Sequence, residues 1–228
     1  MRSARLAGVA AVAVLWTTLP AGTALSGFDL LGPEPISYLG TEAASAALFT
    51  AGLAVSAVLL AAFHQHVRAR YPVGRGFSAA MLVGLAGQAV AAFVPIGGDA
   101  TAHRIHTTAA LVLGASLPVF MWRFAAGQPP GSWRRAAYAL FWAEAAACAA
   151  GLYLSSVGVA AVAEVLPAVV FHAWIVVLSV RAASEERGGE LVGHPLAEPV
   201  VRPAPLVDQE VPQLDGVVGP QHVARLLG

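Results

Sequence analysis

The sequence predicts an all-α integral membrane protein: a bundle of six transmembrane helices, N-in and C-in, with a disordered cytosolic C-terminal tail. Three observations predict this fold class. Of the 228 residues, 57% are hydrophobic and 11% are charged; the apolar residues form six segments long enough to cross a bilayer; and arginines cluster between alternate segments. A soluble core does not need apolar segments of this length and number.

Six apolar segments account for most of the chain. A bilayer core about 30 Å thick is crossed by about 20 helical residues. Segments rich in glycine and proline interrupt the apolar sequence at 26–35, 72–74 and 128–131, where a helix does not continue. We therefore predict a six-span domain over residues 1–181, with spans at about 6–25, 43–63, 77–96, 104–124, 136–154 and 158–180.

The two ends of the chain are interpreted from their composition. An arginine-containing start, an apolar run and the small residues 21–24 also fit a secretory signal with a cleavage site. The run is long for a signal and contains Trp16 and Pro20, which favours its retention as span one. Residues 182–228 are rich in Pro, Val and Glu and carry too little apolar surface to fold, so they are predicted to be a disordered cytosolic tail.

The arginines predict the orientation of the spans. All 13 basic residues are arginine, and only Arg104 falls in a loop on the opposite side from the others. Because arginine is enriched in cytosolic loops, both termini are predicted to be cytosolic and the membrane to be the cytoplasmic (cell) membrane. The lack of lysine and the abundance of alanine, valine and glycine are typical of a GC-rich bacterial genome.

Several function classes do not fit the composition. A formal net charge of zero argues against a nucleic-acid-binding surface. The single cysteine, Cys148, lies in an apolar run and is expected to pack as a small hydrophobic residue. The histidines do not pair at matching depths on facing spans, so no haem is expected, and no cofactor is predicted. No pattern in the sequence specifies an oligomeric state.

Polar residues within the spans mark the candidate functional site. An ionised carboxylate near the bilayer centre costs about 2.5–3.5 kcal/mol, so Glu144 and Glu164 need a partner, water or a proton. The other candidates lie toward the outer ends of their spans, and they are Gln88, Asp99, His103, Arg104 and His106. We expect these residues to form a polar cluster in the outer half of the bundle.

Two interpretations are open for His103 and His106. Their spacing of three residues places both imidazoles on one helix face, where they fit a metal ion such as zinc with Glu164 or Asp99 as a third ligand. Otherwise the histidines cap the helix or hydrogen-bond at the interface, and Arg104 pairs with Glu164 or Asp99. The second interpretation is favoured because the chain contains no H-E-x-x-H or comparable zinc signature.

The remaining histidines are interpreted from their depth. His172 follows Glu164 by eight residues, about 12 Å along the helix. It is either a station on a proton route or, as we favour, a hydrogen-bonding partner for a neighbouring helix. His64 and His66 end span two and point to opposite sides of it, and we interpret both as interfacial.

Short motifs resemble known six-span families over about residues 8–180. Pro35-Ile36-Ser37-Tyr38-Leu39-Gly40, Phe93-Val94-Pro95 and His106 are similar to the bacterial membrane family known as domain of unknown function 998. The Ile-Ser-x-x-Gly segment, the histidine of span four, Ala163-Glu164 and Phe171-His172 also resemble the Frag/DRAM/Sfk group, although Tyr38-Leu39 stands where that group usually has an acidic residue. The eukaryotic group is associated with lipid organisation and membrane homeostasis. The resemblance implies functional roles for Ser37, Gly40, His106, Glu164 and His172.

These observations lead to three hypotheses of function, with membrane lipids as the expected partners. The first is a non-enzymatic protein of membrane homeostasis that binds lipid or isoprenoid groups in an outer-half cavity, where Arg104 and the histidines meet a phosphate head group. The second is a proton-coupled carrier that uses Glu144, Glu164 and His172, although no internal repeat supports it. The third is a zinc-dependent membrane hydrolase that uses the two histidines of span four and a carboxylate.

Overall fold

A computed structural model describes residues 2–192 of the chain, with side chains from residue 6 to residue 182. All regular structure in this part is helical, and it contains six helices long and apolar enough to cross a membrane, as predicted. The helices are α1 (Arg2–Ser26), α2 (Ala46–Arg70), α3 (Arg75–Phe93), α4 (Ala100–Gly127), α5 (Ser132–Ser156) and α6 (Ala160–Val192), with a short 3₁₀ helix (Ile36–Gly40) between α1 and α2.

Local chemistry explains where α3 ends and α4 begins. Helix α3 ends at Phe93, short of the predicted position 96, because Pro95 disfavours a helical conformation at the residue before it. Helix α4 begins at Ala100, ahead of the predicted position 104. Its N-cap is Asp99, whose Oδ1 accepts hydrogen bonds of 2.8 Å from the backbone N–H groups of Thr101 and Ala102.

Helix α6 extends beyond the predicted end of the six-span domain. It continues to Val192, so the first residues assigned to the tail from their composition are helical. The span-length apolar part of this helix is Ala160–Ala182. The rest of the predicted tail, residues 193–228, lies outside the described residues.

Helix α1 packs closely against α2 and α6. A Cβ added at Gly52 of α2 would meet the side chain of Thr18, so glycine at this position lets the two helix backbones approach. On α6, the Nδ1 atom of His172 accepts a hydrogen bond of 3.1 Å from the indole N–H of Trp16. The favoured role of His172, a hydrogen bond to a neighbouring helix, is therefore observed.

One end of the bundle is aromatic and rich in arginine, and we call it the arginine end. Here α2, α4 and the apolar part of α6 end, and α3 and α5 begin. They surround a buried cluster that includes Phe63, Phe77, Phe120, Phe124 and Trp174. Arginines lie on tryptophans at this end: the guanidinium of Arg181 lies 4.3 Å from the ring centroid of Trp133, which packs against the cluster, and that of Arg123 lies 4.6 Å from the ring centroid of the exposed Trp122.

His64 and His66 lie inside the bundle and not on its surface, while their interfacial depth in the membrane stays a prediction. Both side chains are buried at the arginine end, where His64 packs on Phe77 with ring centroids 5.8 Å apart and His66 packs on Phe63 at 6.3 Å. Helix α2 continues to Arg70 instead of ending near residue 63, so both histidines lie a full turn or more inside the helix. The arginines that follow them, and not the histidines, occupy the exposed end.

The opposite end of the bundle carries the long connection between α1 and α2, and we call it the loop end. Ile36 and Leu39 of the 3₁₀ helix form a small apolar cluster with Phe49 and Ala161. The hydroxyl of Ser45 donates a hydrogen bond of 2.8 Å to the carbonyl of Leu39 and closes the connection onto the start of α2. This arrangement places the 3₁₀ helix beside the end of α3 and the beginning of α4.

Candidate functional site

A cavity of about 140 Å³ lies at the loop end, between the 3₁₀ helix, α2, α3 and α4. It is lined by Ser37, Gly40, Phe49, Thr50, Ala91, Ala92, Phe93, Pro95 and His106. Three of these residues, Ser37, Gly40 and His106, were singled out by the sequence motifs. The cavity is therefore our candidate site.

His106 is the most constrained polar side chain of the cavity. It lies in the second turn of α4 and is only 2% exposed. Its Nδ1 atom is 2.6 Å from the carbonyl oxygen of Val94, in the connection between α3 and α4. Because a carbonyl only accepts, Nδ1 carries a proton, and the ring orientation is fixed by this bond.

The 3₁₀ helix brings Ser37 and Gly40 to the cavity. The Ser37 hydroxyl is buried and has no hydrogen-bond partner. A Cβ added at Gly40 would lie 3.2 Å from Cδ1 of Phe49, so the absence of a side chain lets the 3₁₀ helix lie directly on α2. The Ile-Ser-x-x-Gly motif thus supplies one hydroxyl to the site and one point of close packing behind it.

Glu164 lies beside the site but does not line the cavity. It is in the second turn of α6, and its exposed side chain interacts with the backbone N–H groups of Ile36 and Ser37 at the start of the 3₁₀ helix. These N–H groups have no partner within a helix, and a carboxylate stabilises them. Glu164 therefore acts on the site indirectly, by holding the segment that carries Ser37.

His103 and Arg104 lie on the exposed rim of the loop end. His103 places Nδ1 3.1 Å from the carbonyl oxygen of Ile96, and Nη2 of Arg104 donates a hydrogen bond of 3.4 Å to Oγ1 of Thr101. The predicted ion pair of Arg104 with Glu164 or Asp99 is not formed. Asp99 is occupied by its N-cap bonds, and the Glu164 carboxylate faces the 3₁₀ helix.

The histidine pair and a carboxylate do not form the three-ligand arrangement considered for zinc. Within residues 2–192, no three side chains of His, Cys, Asp or Glu lie together in a group that fits a metal ion. His103 and His106 instead hydrogen-bond to two different carbonyls of the α3–α4 connection. The interpretation that these histidines hydrogen-bond near the helix start describes the structure better.

Three further candidates from the sequence lie away from the cavity. Gln88 is buried and donates a hydrogen bond of 3.1 Å from Nε2 to the carbonyl of Leu53, joining α3 to α2. His172 is held by Trp16, as described. Glu144 is fully buried at the midpoint of α5, where Oε1 accepts a hydrogen bond of 3.5 Å from the Cys148 thiol and Oε2 has no partner. The polar cluster at the cavity therefore contains fewer residues than the sequence analysis predicted.

The residues missed from the sequence are the uncharged ones that shape the cavity. Phe49 and Thr50 of α2 and Ala91 and Ala92 of α3 give no signal in an apolar helix, because nothing in its composition tells which face is turned inward. A weak signal did exist for the α3–α4 connection. The motif Phe93-Val94-Pro95 and the isolated His106 prove to be joined by the bond between Val94 and the imidazole.

Comparison with known families gives one match. A family model described as "Protein of unknown function (DUF998)" matches residues 6–181, which include all six spans. Comparisons with curated proteins and with solved structures gave no match.

Proposed function

This chain belongs to the family of unknown function DUF998, and we propose that it is a non-enzymatic membrane protein that binds lipid or isoprenoid groups in the loop-end cavity. The observation that carries the proposal is a cavity of about 140 Å³ that joins a buried, fixed histidine and an unpartnered serine hydroxyl to an apolar lining. Such binding would serve membrane homeostasis by sensing or sequestering a lipid.

The surroundings of the cavity support a ligand that comes from the membrane. Phe93 lines the cavity and is 69% exposed, and Val90, one turn earlier on α3, is also exposed. A small pocket whose wall continues into an exposed apolar surface suits the end of an elongated apolar molecule. Only part of a lipid fits inside, because the cavity has about the volume that admits a benzene-sized group.

Photo-crosslinking in cells tests this proposal. Cells that express the tagged protein are fed a palmitate carrying a diazirine and an alkyne, which enters the acyl lipids, and a parallel culture receives a prenol with the same groups. We expect His106→Ala to reduce labelling by about tenfold or more, the effect of losing one well-placed polar contact in a buried site. His103→Ala is the matched control, since His103 lies one turn earlier on α4 and does not line the cavity.

A second variant separates binding from folding, because His106→Ala also removes the bond to Val94. Thr50→Leu fills the cavity from α2 without touching that bond, and it should reduce labelling to the same extent. Each variant is checked for a single monodisperse peak after purification. Equal labelling of wild type, His106→Ala and Thr50→Leu by both compounds would show that the cavity does not bind these lipids.

We further infer that the protein lies in the cytoplasmic membrane with its termini in the cytosol and the cavity on the outer side. Seven of the described arginines lie at or near the arginine end, namely Arg68, Arg70, Arg75, Arg123, Arg134, Arg135 and Arg181, whereas Arg104 is at the loop end. Arginine-rich ends of helices are retained in the cytosol.

Two single-cysteine variants test this orientation. In a Cys148→Ala background, Glu34→Cys in the α1–α2 connection should react with a membrane-impermeant maleimide in intact cells, whereas Pro130→Cys in the α4–α5 connection should react only after permeabilisation. Both positions are exposed, so accessibility within the protein is matched. The reverse labelling pattern would invert the proposed orientation.

A proton-coupled carrier is the second candidate, because one observation favours it. Glu144 is fully buried at the midpoint of α5, and its Oε2 atom has no partner. Acidic residues at such positions in membrane proteins commonly belong to proton relays. Glu144 does not line the loop-end cavity, so this candidate and lipid binding rest on separate parts of the bundle.

A further inference from the structure

The hydrogen-bonding state of His106 specifies what the cavity offers a ligand. Nδ1 donates to the Val94 carbonyl, so in the neutral form of the ring Nε2 carries no proton and acts as an acceptor. A backbone carbonyl that fixes one nitrogen in this way defines the chemistry of the other. His106 therefore recognises a hydrogen-bond donor on the ligand.

Ser37 supplies the complementary group. Ser37 is one of the residues that line the cavity, and its hydroxyl is buried and has no partner among the described residues. A buried hydroxyl without a partner costs free energy that a ligand recovers by bonding to it. A serine hydroxyl donates one hydrogen bond and accepts others, so together Ser37 and His106 suit a ligand atom that both donates and accepts.

The charges around the cavity disfavour an anionic ligand. The nine lining residues include no aspartate, glutamate, lysine or arginine, and Arg104 is exposed on the rim with its guanidinium bonded to Thr101. An acidic group, Glu164, lies at the backbone of Ser37. A phosphate in the cavity would lose its water without gaining a cation, which is strongly unfavourable.

These observations identify the ligand class, and the inference rests on the proposed function. We propose that the loop-end cavity binds the free hydroxyl end of a neutral membrane lipid, such as a diacylglycerol or a long-chain alcohol. The hydroxyl donates to Nε2 of His106 and accepts from the Ser37 hydroxyl, while the chain leaves past Phe93 into the bilayer. The phosphate head group expected from Arg104 and the histidines is replaced by an uncharged alcohol.

Three matched lipids test this assignment on the purified full-length protein in nanodiscs. A diacylglycerol bearing a diazirine and an alkyne in one chain is compared with the phosphatidic acid of the same chains and with the diacylglycerol whose hydroxyl is methylated. We expect the diacylglycerol to label at least about tenfold more than either of the others, since each lacks one of the required properties. Ser37→Ala, which keeps the cavity and the Val94 bond to His106, should reduce labelling by the diacylglycerol and by its methyl ether, because the oxygen of each lipid accepts a hydrogen bond from Ser37.

The outcomes separate this inference from the proposed function. The alcohol assignment is overturned if labelling depends on His106 but is stronger with phosphatidic acid than with diacylglycerol, or equal for diacylglycerol and its methyl ether. Either result leaves lipid binding in place. Labelling of all three lipids that is insensitive to His106→Ala and Thr50→Leu overturns both. Excess glycerol is included as a soluble alcohol, and loss of diacylglycerol labelling in its presence overturns the membrane source of the ligand.

Discussion

Replacing Gly87 by leucine is expected to lower the free energy of unfolding of the bundle by about 3 kcal/mol, the upper range for overpacking. A Cβ at this position of α3 would lie 2.7 Å from the carbonyl oxygen of Ala109 and 3.1 Å from the backbone nitrogen of Leu113. Both are backbone atoms of α4, so no side-chain rotation relieves the clash. The two helices would have to move apart and lose their close contact.

Unfolding in mixed micelles, followed by tryptophan fluorescence as the fraction of SDS is raised, measures this effect. Ala86→Leu is the matched control, because Ala86 is the preceding residue of α3 but is exposed, and we expect it to change stability by no more than about 0.5 kcal/mol. A similar loss in both variants, or none in Gly87→Leu, would mean that α3 and α4 do not cross closely at Gly87.

The same helix crossing also positions the candidate site. Ala91 and Ala92 follow Gly87 by about one turn on α3, and His106 precedes Ala109 by one turn on α4. Ala91, Ala92 and His106 line the cavity. We therefore expect Gly87→Leu to reduce lipid labelling as well, whereas Ala86→Leu should leave it unchanged. Close packing at small residues is thus a condition for the cavity, and not only for stability.

The fold was predictable because it follows from length and polarity. A membrane-spanning segment needs a minimum number of apolar residues, and this constraint is strong enough to identify all six spans. The ends of the helices were less predictable. Asp99 begins α4 through its N-cap hydrogen bonds, and Pro95 ends α3 by restricting the backbone before it. Helix α2 continues to Arg70 through turns that are polar, which the apolar pattern does not predict.

The candidate site was predictable only where it uses polar residues in a motif. Ser37, Gly40 and His106 were identified and are brought together. The direction in which each side chain bonds was not predictable: Arg104 bonds within its own helix, and Glu164 interacts with the 3₁₀ helix. In helices that are apolar on all sides, residue type gives depth in the membrane but not the neighbour that a side chain faces.

Replacing Glu144 by methionine is expected to raise the free energy of unfolding by about 1–3 kcal/mol, the penalty attached to a buried polar atom without a partner. The side chain is fully enclosed, Oε2 has no hydrogen-bond partner, and Oε1 receives only the weak thiol donor of Cys148. Methionine has a similar length and fills the same space without a polar group. A natural sequence that keeps the destabilising residue points to a role in activity.

Glu144→Gln is the matched control, since it keeps the shape and an unpartnered polar end and should not gain stability. Both variants are unfolded in the same mixed micelles and are also placed in liposomes with an imposed pH gradient. If the protein is a proton-coupled carrier, both substitutions abolish proton flux, and methionine alone stabilises. Wild-type proton flux in both variants removes the second candidate function. A methionine variant less stable than wild type would mean that Oε2 of Glu144 has a hydrogen-bond partner, such as a water molecule. The inference that Glu144 destabilises the bundle would then be wrong.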